Sequence, residues 1–286
     1  MLSLPSLSLA ALVAATAIHA QTASPSSSST LPASSTGPTG GHACNNSPTL
    51  CGRPYNAVTH MGAHNIAFLR DQSTDNSLSG NQFQNATRAL DAGLRLLQVQ
   101  VHKPESTLRL CHTSCSLLDA GDLDTWLSAV GAWLLAHPHD VVTMLLVNAD
   151  KAPASDFASA LDRTGLSRLA YAPAPAANGT SSTWPTLQSM TDANRRLVTF
   201  VTNIQPSAST PHLLSEFAHV FETPFTVTDV AGFNCTVDRP SRADPAPAAL
   251  AAGYMGLVNH FKYQSVVAGL DVPDVSAVDT VNSAAT

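Results

Sequence analysis

Two kinds of apolar pattern alternate along the chain from residue 43 onward. Short runs rich in β-branched residues predict strands, and longer segments with apolar residues every three or four positions predict helices. The predicted strands are 58–64, 94–102, 141–148, 197–203, 220–223 and 256–261, with a short extra strand at 108–112. The predicted helices are 80–92, 122–137, 155–164, 187–194 and 211–217.

The alternation of the two element types predicts an α/β fold. The strand at 141–148 is apolar on both faces, which is typical of parallel strands covered by helices. Asp122 offers an N-cap carboxylate to the helix at 122–137. We therefore expect a TIM-like barrel of β/α units, incomplete at its C-terminus because too few strands are present to close eight units. A doubly wound open sheet is the alternative, but no glycine-rich phosphate motif follows any strand.

The first 42 residues differ from the rest. Residues 1–20 contain a short apolar run followed by small residues, which predicts a secretory signal peptide; a membrane anchor is the weaker alternative because the run is interrupted by serines. Residues 21–42 are dominated by Ser, Thr and Pro and predict a linker. Residues 43–286 then form the barrel domain. We expect a secreted protein that can associate with the cell wall.

Composition narrows the functional classes. The chain has 286 residues, of which 44% are hydrophobic, and this excludes a wholly disordered protein. Only 12% of the residues are charged and the net charge is −6, so a basic nucleic-acid-binding protein is excluded as well. Sequons at Asn85, Asn178 and Asn234 fit an exported glycoprotein, whereas Pro48 spoils the one at Asn45.

The five cysteines also fit an oxidising compartment. In an exported chain their short spacings predict the disulfides Cys44–Cys51 and Cys111–Cys115, and Cys235 is left without a partner. Zinc binding is the alternative for the second pair, because a histidine lies between its cysteines. No second Cys/His pair is spaced to complete a zinc tetrahedron, so we expect no metal.

Polar side chains interrupt the predicted strands at their carboxyl ends, where barrels carry their chemistry. His64 ends the strand at 58–64, whereas His60 lies near its start. On the next strand Gln98, Gln100 and His102 share one face with apolar residues. Amides on a face that would otherwise be apolar need hydrogen-bond partners, so this polar row predicts a lined cavity.

Two further polar residues end strands. His112 ends the strand at 108–112 beside a predicted disulfide, and Asn148 ends the strand at 141–148. The sequence does not distinguish two roles for Asn148, which are lining the site and making ordinary buried hydrogen bonds. Two histidines in one cleft suggest paired acid–base catalysis, because the pKa of imidazole lies near neutral pH.

Several strings resemble the X domain of phosphatidylinositol-specific phospholipase C, and more narrowly the secreted fungal branch of phospholipase C-like phosphodiesterases. They are Thr59–Asn65, Leu90–Leu97, Leu108–His112, Trp126-Leu127, His137–Val142 and Val258–Phe261. The resemblance implies a TIM-like barrel in which His64 is the general base, His112 protonates the leaving alkoxide and Asn65 contacts phosphate or calcium. It also implies a phosphoinositide-like lipid substrate, peripheral membrane contact and a monomer.

The sequence departs from that family at two positions. Family members carry acidic calcium ligands or an arginine where this chain has Gln98 and Gln100. Neutral amides do not hold Ca²⁺ as carboxylates do, so we expect no cofactor, with His102 supplying positive charge when protonated.

The alternative functions are a non-catalytic secreted barrel that binds lipid head groups or cell-surface glycans, and a metal-dependent glycerophosphodiesterase. The chain also stops where the branch continues into another strand, which suggests a truncated product.

Overall fold

The computed structural model describes residues 43–173, 183–205, 207–267 and 270–274. The predicted signal peptide, the linker, the sequon at Asn178 and the chain beyond residue 274 lie outside the described residues. Among the described residues, none of the helices combines the length and hydrophobicity that a membrane span requires.

Strands and helices alternate through most of the described chain. The strands are β1 Gly62–Ala63, β2 Leu96–His102, β3 Arg109–Cys111, β4 Asp119–Asp122, β5 Val142–Asn148, β6 Leu197–Val201, β7 Leu213–Ser215, β8 Val220–Glu222, β9 Met255–Leu257, β10 Tyr263–Val267 and β11 Leu270–Pro273. The α-helices are α1 Ala86–Asp91, α2 Leu123–Ala136, α3 Ala154–Arg163, α4 Leu187–Asp192, α5 Glu216–His219 and α6 Ala246–Ala251.

Parallel pairing dominates the main sheet. Strands β1, β2, β5, β6 and β7 are parallel in that order, and the antiparallel strands β3 and β4 extend the sheet beyond the carboxyl half of β2. A second parallel pair, β8 with β9, does not pair with the main sheet in the described part of the chain. The predicted α/β class and incomplete barrel are thus confirmed.

The two faces of the main sheet are covered by different side chains. On the outer face, α2 buries Leu127, Val130 and Leu134 against the sheet residues Val99 and Met144. The periodicity of the sequence predicted this stripe. Gln98 and Gln100 point to the other face, because successive strand residues alternate in direction and their neighbours on β2 are the buried ones.

Three local predictions were wrong. Asp122 stands at the N-cap of α2, but its carboxylate makes no capping bond and instead accepts a hydrogen bond from Arg109 at 2.6 Å. The segment 58–64 is mostly not a strand, and only Gly62–Ala63 pairs with β2. The predicted helix at 211–217 begins as β7, because Leu213 and Leu214 pair with β6 and are buried. In each case a tertiary contact overrode the local pattern.

A carboxyl pair is buried where β8 meets α5. Glu216 and Glu222 are 1% and 2% exposed, and Arg239 binds Glu222 at 2.7 Å. Neither oxygen of Glu216 receives a hydrogen bond from a donor among the described residues. Burial raises the pKa of Glu216 far above its ordinary value, and the neighbouring Glu222 carboxylate adds to the rise. Glu216 is therefore protonated at neutral pH, and its carboxyl O–H can donate a hydrogen bond to the Glu222 carboxylate.

We expect Glu216→Gln to stabilise the fold at alkaline pH. In the folded protein Glu216 keeps its proton, whereas in the unfolded chain it releases the proton above about pH 4.3. The free energy of unfolding of the wild type therefore falls as the pH rises above that value. Glutamine has no proton to lose and still donates to Glu222. The Tm of the variant should exceed that of the wild type by about 3 °C or more at pH 8. A Tm difference that is equal at pH 5 and pH 8 would contradict this account.

Candidate active site

His64 follows β1 directly, and its loop is fixed by a side chain of β2. The next residue, Asn65, has a left-handed backbone with φ of 52° and is fully buried. Its N–H donates to Oε1 of Gln98 at 2.6 Å. This bond satisfies a backbone group that would otherwise be buried without a partner, and it holds the loop that carries the half-buried His64.

His112 follows β3 and is held in the same manner. Thr113, the next residue, also has a left-handed backbone with φ of 64°, and its N–H donates to Oε1 of Gln100 at 2.9 Å. The predicted disulfide between Cys111 and Cys115 is present and closes the loop around His112. Since Cys111 and Cys115 are joined to each other, they do not form the alternative zinc site.

The tautomer of neutral His112 follows from its hydrogen bond. Its Nδ1 lies 2.7 Å from the carbonyl oxygen of Ser79, which can only accept. The proton is therefore on Nδ1, and Nε2 carries the lone pair. The ring also stacks on Phe68, with 5.1 Å between the ring centroids.

The two histidines lie in one site. Gln98 and Gln100 are two positions apart on the same face of β2, so the two anchored backbones are separated by about 7 Å along the strand. Burial and, to a smaller extent, the charge that His112 carries when protonated lower the pKa of His64 to about 3. His112 acts on His64 in this way only because the two imidazoles are near each other.

The loop between the short 3₁₀ helix Gln72–Thr74 and α1 contacts both histidines. Ser79 accepts from His112, and Nε2 of Gln82 donates to the carbonyl oxygen of His64 at 2.7 Å. The predicted helix at 80–92 therefore begins later, at Ala86. Gly80 allows the loop to pass close to the chain, because a Cβ there would lie 2.6 Å from the carbonyl oxygen of Leu69.

Two aromatic residues that the sequence analysis did not select contact His64. Phe261 stacks on the imidazole with 3.7 Å between ring centroids and 16° between the planes. The Tyr263 hydroxyl lies 3.2 Å from His64 Nε2, and Nδ2 of Asn65 lies 2.9 Å from the same nitrogen. Phe261 lies in Val258–Phe261, one of the strings that resemble the family, and this was the only sequence signal that pointed to it.

His102 lies one step further along the same face of β2. Its Nδ1 is 3.0 Å from Oδ1 of Asp150, while Nε2 is buried without a hydrogen-bond partner among the described residues. Asp150 also accepts from the backbone N–H of Lys103. The Asp150 carboxylate therefore orients the His102 imidazole.

The side-chain amide of Asn148 hydrogen-bonds to the backbone. Its Oδ1 accepts from the N–H of Ala152 at 2.8 Å, and its Nδ2 donates to the carbonyl oxygen of the same residue at 3.0 Å. Both ends of the amide are thereby used to close the turn after β5. Of the two interpretations that the sequence left open, this geometry favours buried hydrogen bonding.

The residues present do not fit a calcium site. The amide oxygens of Gln98 and Gln100, which are the atoms able to ligate a cation, already accept backbone N–H groups. In the described part of the chain, no three His, Cys, Asp or Glu side chains are grouped to hold a metal ion. Calcium binding prefers six or more oxygen ligands, including carboxylates.

The remaining cysteines follow the prediction. Cys44 and Cys51 form a disulfide, and Cys235 is a free, exposed thiol. The Cys44–Cys51 disulfide lies in the apolar cluster that also contains Tyr55 and Trp184.

We expect Gln98→Met to destabilise the protein by about 1–3 kcal/mol, because the buried N–H of Asn65 loses its acceptor. Gln100→Met is the matched control. It removes the same type of bond from Thr113, which is exposed, so water replaces the acceptor and the loss should stay below about 0.5 kcal/mol. Urea unfolding measures both changes. Equal losses in the two variants would show that burial of the anchored N–H does not matter.

Comparisons with known proteins agree with the resemblance. The family described as PI-PLC X 1 matches residues 50–286. "PI-PLC X domain-containing protein 1" from Arthroderma benhamiae is 36% identical over 243 residues, which is 84% of this chain and 75% of that protein. An "Uncharacterized secreted protein" from the same organism is 34% identical over 211 residues, or 74% of this chain and 46% of that protein.

Two solved structures are more distant. The phosphatidylinositol-specific phospholipase C from Listeria monocytogenes has a TM-score of 0.42 at 14% identity and covers 72% of this chain and 80% of its own. A phosphatidylinositol-specific phospholipase C from Staphylococcus aureus has a TM-score of 0.41 at 15% identity and covers 52% of this chain. This chain spans about half the length of the staphylococcal enzyme and of the second fungal relative, at 49% and 46%.

Proposed function

The chain belongs to the family of PI-PLC X domains, and we propose that it is a secreted phosphoric diester hydrolase that cleaves a phosphoinositide-like lipid head group. The observation that carries the proposal is the pairing of two imidazoles on loops held by Gln98 and Gln100. Paired imidazoles can perform both proton transfers that cleavage of a phosphodiester needs.

His64 is the general base in this proposal. Burial and His112 hold its pKa near 3, so the imidazole is neutral at the pH of an extracellular enzyme and can accept a proton. It takes the proton of a substrate hydroxyl next to the phosphate. The hydroxyl oxygen attacks phosphorus in line with the leaving oxygen, and a cyclic phosphodiester forms while the bond to the lipid alkoxide breaks.

His112 is the general acid. Burial lowers its pKa, and the hydrogen bond to Ser79 acts in the opposite direction. A bound phosphodiester brings a negative charge next to the ring, which favours the imidazolium form. The ring's Nδ1–H stays on the Ser79 carbonyl oxygen, so Nε2 is the atom that gives its proton to the departing alkoxide.

When protonated, His102 supplies positive charge near the phosphate. The Asp150 carboxylate 3.0 Å from its Nδ1 holds the imidazole in place for the role of the arginine that the family carries on this strand. Asn65, whose side-chain amide is buried against His64 Nε2, contacts the phosphate once the substrate hydroxyl has displaced it from that nitrogen.

Secretion is supported by the apolar segment at 1–20 and by the name of one fungal relative. The protein then works as a monomer at the surface of a membrane or in the cell wall, and binds its substrate by peripheral contact.

The test is hydrolysis of phosphatidylinositol in vesicles by the full chain. The expected product is a water-soluble cyclic phosphodiester, detected by phosphorus NMR, with no loss of rate in EDTA. Vesicles of phosphatidylcholine alone are the control and should not be cleaved. Binding to the vesicles without turnover would replace this proposal by the non-catalytic barrel, and a rate abolished by EDTA would favour the metal-dependent alternative.

A further inference from the structure

The lone pair of His64 is covered by residues of the chain itself. Asn65 Nδ2 is a donor and lies 2.9 Å from Nε2, so Nε2 accepts and the proton of the neutral ring is on Nδ1. The Tyr263 hydroxyl reaches the same nitrogen at 3.2 Å. A general base must accept the proton of its substrate at this nitrogen, and a hydroxyl of the protein is already there.

Aromatic side chains enclose the imidazole as well. Phe261 lies flat against one face of the ring, and Tyr263 meets it edge-on with 6.5 Å between centroids and 89° between planes. The two aromatic rings also contact each other edge to face. The segment 261–263 therefore covers both a face and the proton-accepting edge of His64.

This segment is anchored apart from the main sheet. Lys262, between the two aromatic residues, forms an ion pair with Asp274 at 2.6 Å, and both charged side chains are mostly buried. Tyr263 opens β10, which pairs only with β11 among the described strands. The segment can thus move without breaking the pairing of β1, β2 and β5.

We propose that Phe261 and Tyr263 form a strap that selects the substrate, because a substrate hydroxyl must displace the Tyr263 hydroxyl, together with the amide of Asn65, from His64 Nε2 before its proton can be taken. The proposal rests on the proposed function and adds a specificity requirement to it. A substrate is cleaved when its hydroxyl takes over the hydrogen bond of Tyr263 to His64 and the rest of its head group fills the space that the strap has vacated.

The lowered pKa of His64 fits a closed strap. Burial disfavours the imidazolium, and Asn65 Nδ2, which can only donate, loses its bond when Nε2 is protonated. Opening therefore returns the pKa toward its ordinary value. The titratable groups that face the imidazole among the described residues are His112 and Tyr263.

Tyr263→Phe tests the strap and keeps the ring in place. We expect KM for phosphatidylinositol to fall by about 5-fold with kcat unchanged, since a displaced neutral hydrogen bond corresponds to about 1 kcal/mol. Tyr254→Phe is the matched control, because Tyr254 is also partly buried but packs in the cluster of Phe221 and Ala243. It should change neither constant.

A second measurement needs no substrate. NMR titration of the full chain gives the pKa of His64, which should rise by about 1 or more in Tyr263→Ala and in Phe261→Ala, where water reaches the imidazole, and stay constant in Tyr254→Ala. A fall in kcat with unchanged KM, or a His64 pKa that does not move, would overturn the strap. If the wild type cleaves no phosphodiester, the proposed function fails, and the NMR titration alone decides whether the strap exists.

Discussion

We expect His64→Gln to lower kcat for phosphatidylinositol by about 10² to 10⁴, which is the range that a positioned acid or base contributes. The glutamine amide can still accept a hydrogen bond where Nε2 accepts those of Asn65 and Tyr263, but it cannot take up a proton at neutral pH. His112→Gln is expected to cost a similar factor. Because the two residues act on one proton-transfer sequence, the double variant should be little worse than either single variant.

The matched control for these variants is His139→Gln. His139 lies just before β5, at the opposite end of the strand from the site, and its backbone oxygen accepts from the N–H of Asn45 in a bond that the substitution keeps. Its kcat should equal that of the wild type. Initial rates on phosphatidylinositol vesicles measure the wild type and all four variants. If His64→Gln retains more than a tenth of the wild-type kcat, His64 is not the base.

Asp140→Ala should lower the free energy of unfolding by about 3–5 kcal/mol, or the Tm by about 10 °C. Asp140 accepts from Nε and Nη2 of Arg95 at 3.0 and 2.7 Å, and the two side chains are 5% and 10% exposed. The third nitrogen of Arg95 donates to the carbonyl oxygens of Leu90 and Leu94. Without Asp140 the guanidinium remains buried next to the start of β2 with two unpaired N–H groups.

Asp124→Ala provides the comparison for that variant. It breaks the ion pair with Arg163, whose side chain is 58% exposed, so water replaces the carboxylate. Its cost should stay within about 1 kcal/mol. Urea unfolding at neutral pH measures both variants. Similar losses would mean that burial does not amplify the Arg95–Asp140 interaction.

The positions of the candidate acid and base could be predicted because they follow from short-range patterns. Strand alternation placed Gln98, Gln100 and His102 on one face, and the ends of two apolar runs placed His64 and His112 at the edge of the sheet. The spacing of the cysteines likewise predicted both disulfides. These features depend on residues that are near one another in the chain.

What the glutamines do could not be predicted in the same way. Gln98 and Gln100 were interpreted as replacements for charged residues in contact with the phosphate or a cation. In the structure their oxygens hold the backbone after each histidine, at sequence separations of 33 and 13 residues. An amide side chain on a strand has several possible partners, and only the packing of the loops selects among them.

The sequence by itself determined the α/β class, the positions of most main strands, the two disulfides and the pair of histidines, since periodicity and spacing are local properties of the chain. Only the tertiary structure decided that Tyr263 covers His64 from 199 positions away and that Glu216 is buried beside Glu222. Such contacts depend on which distant segments meet when the apolar faces are buried. No local pattern encodes that choice, because many pairs of distant polar residues could satisfy the same hydrogen bonds.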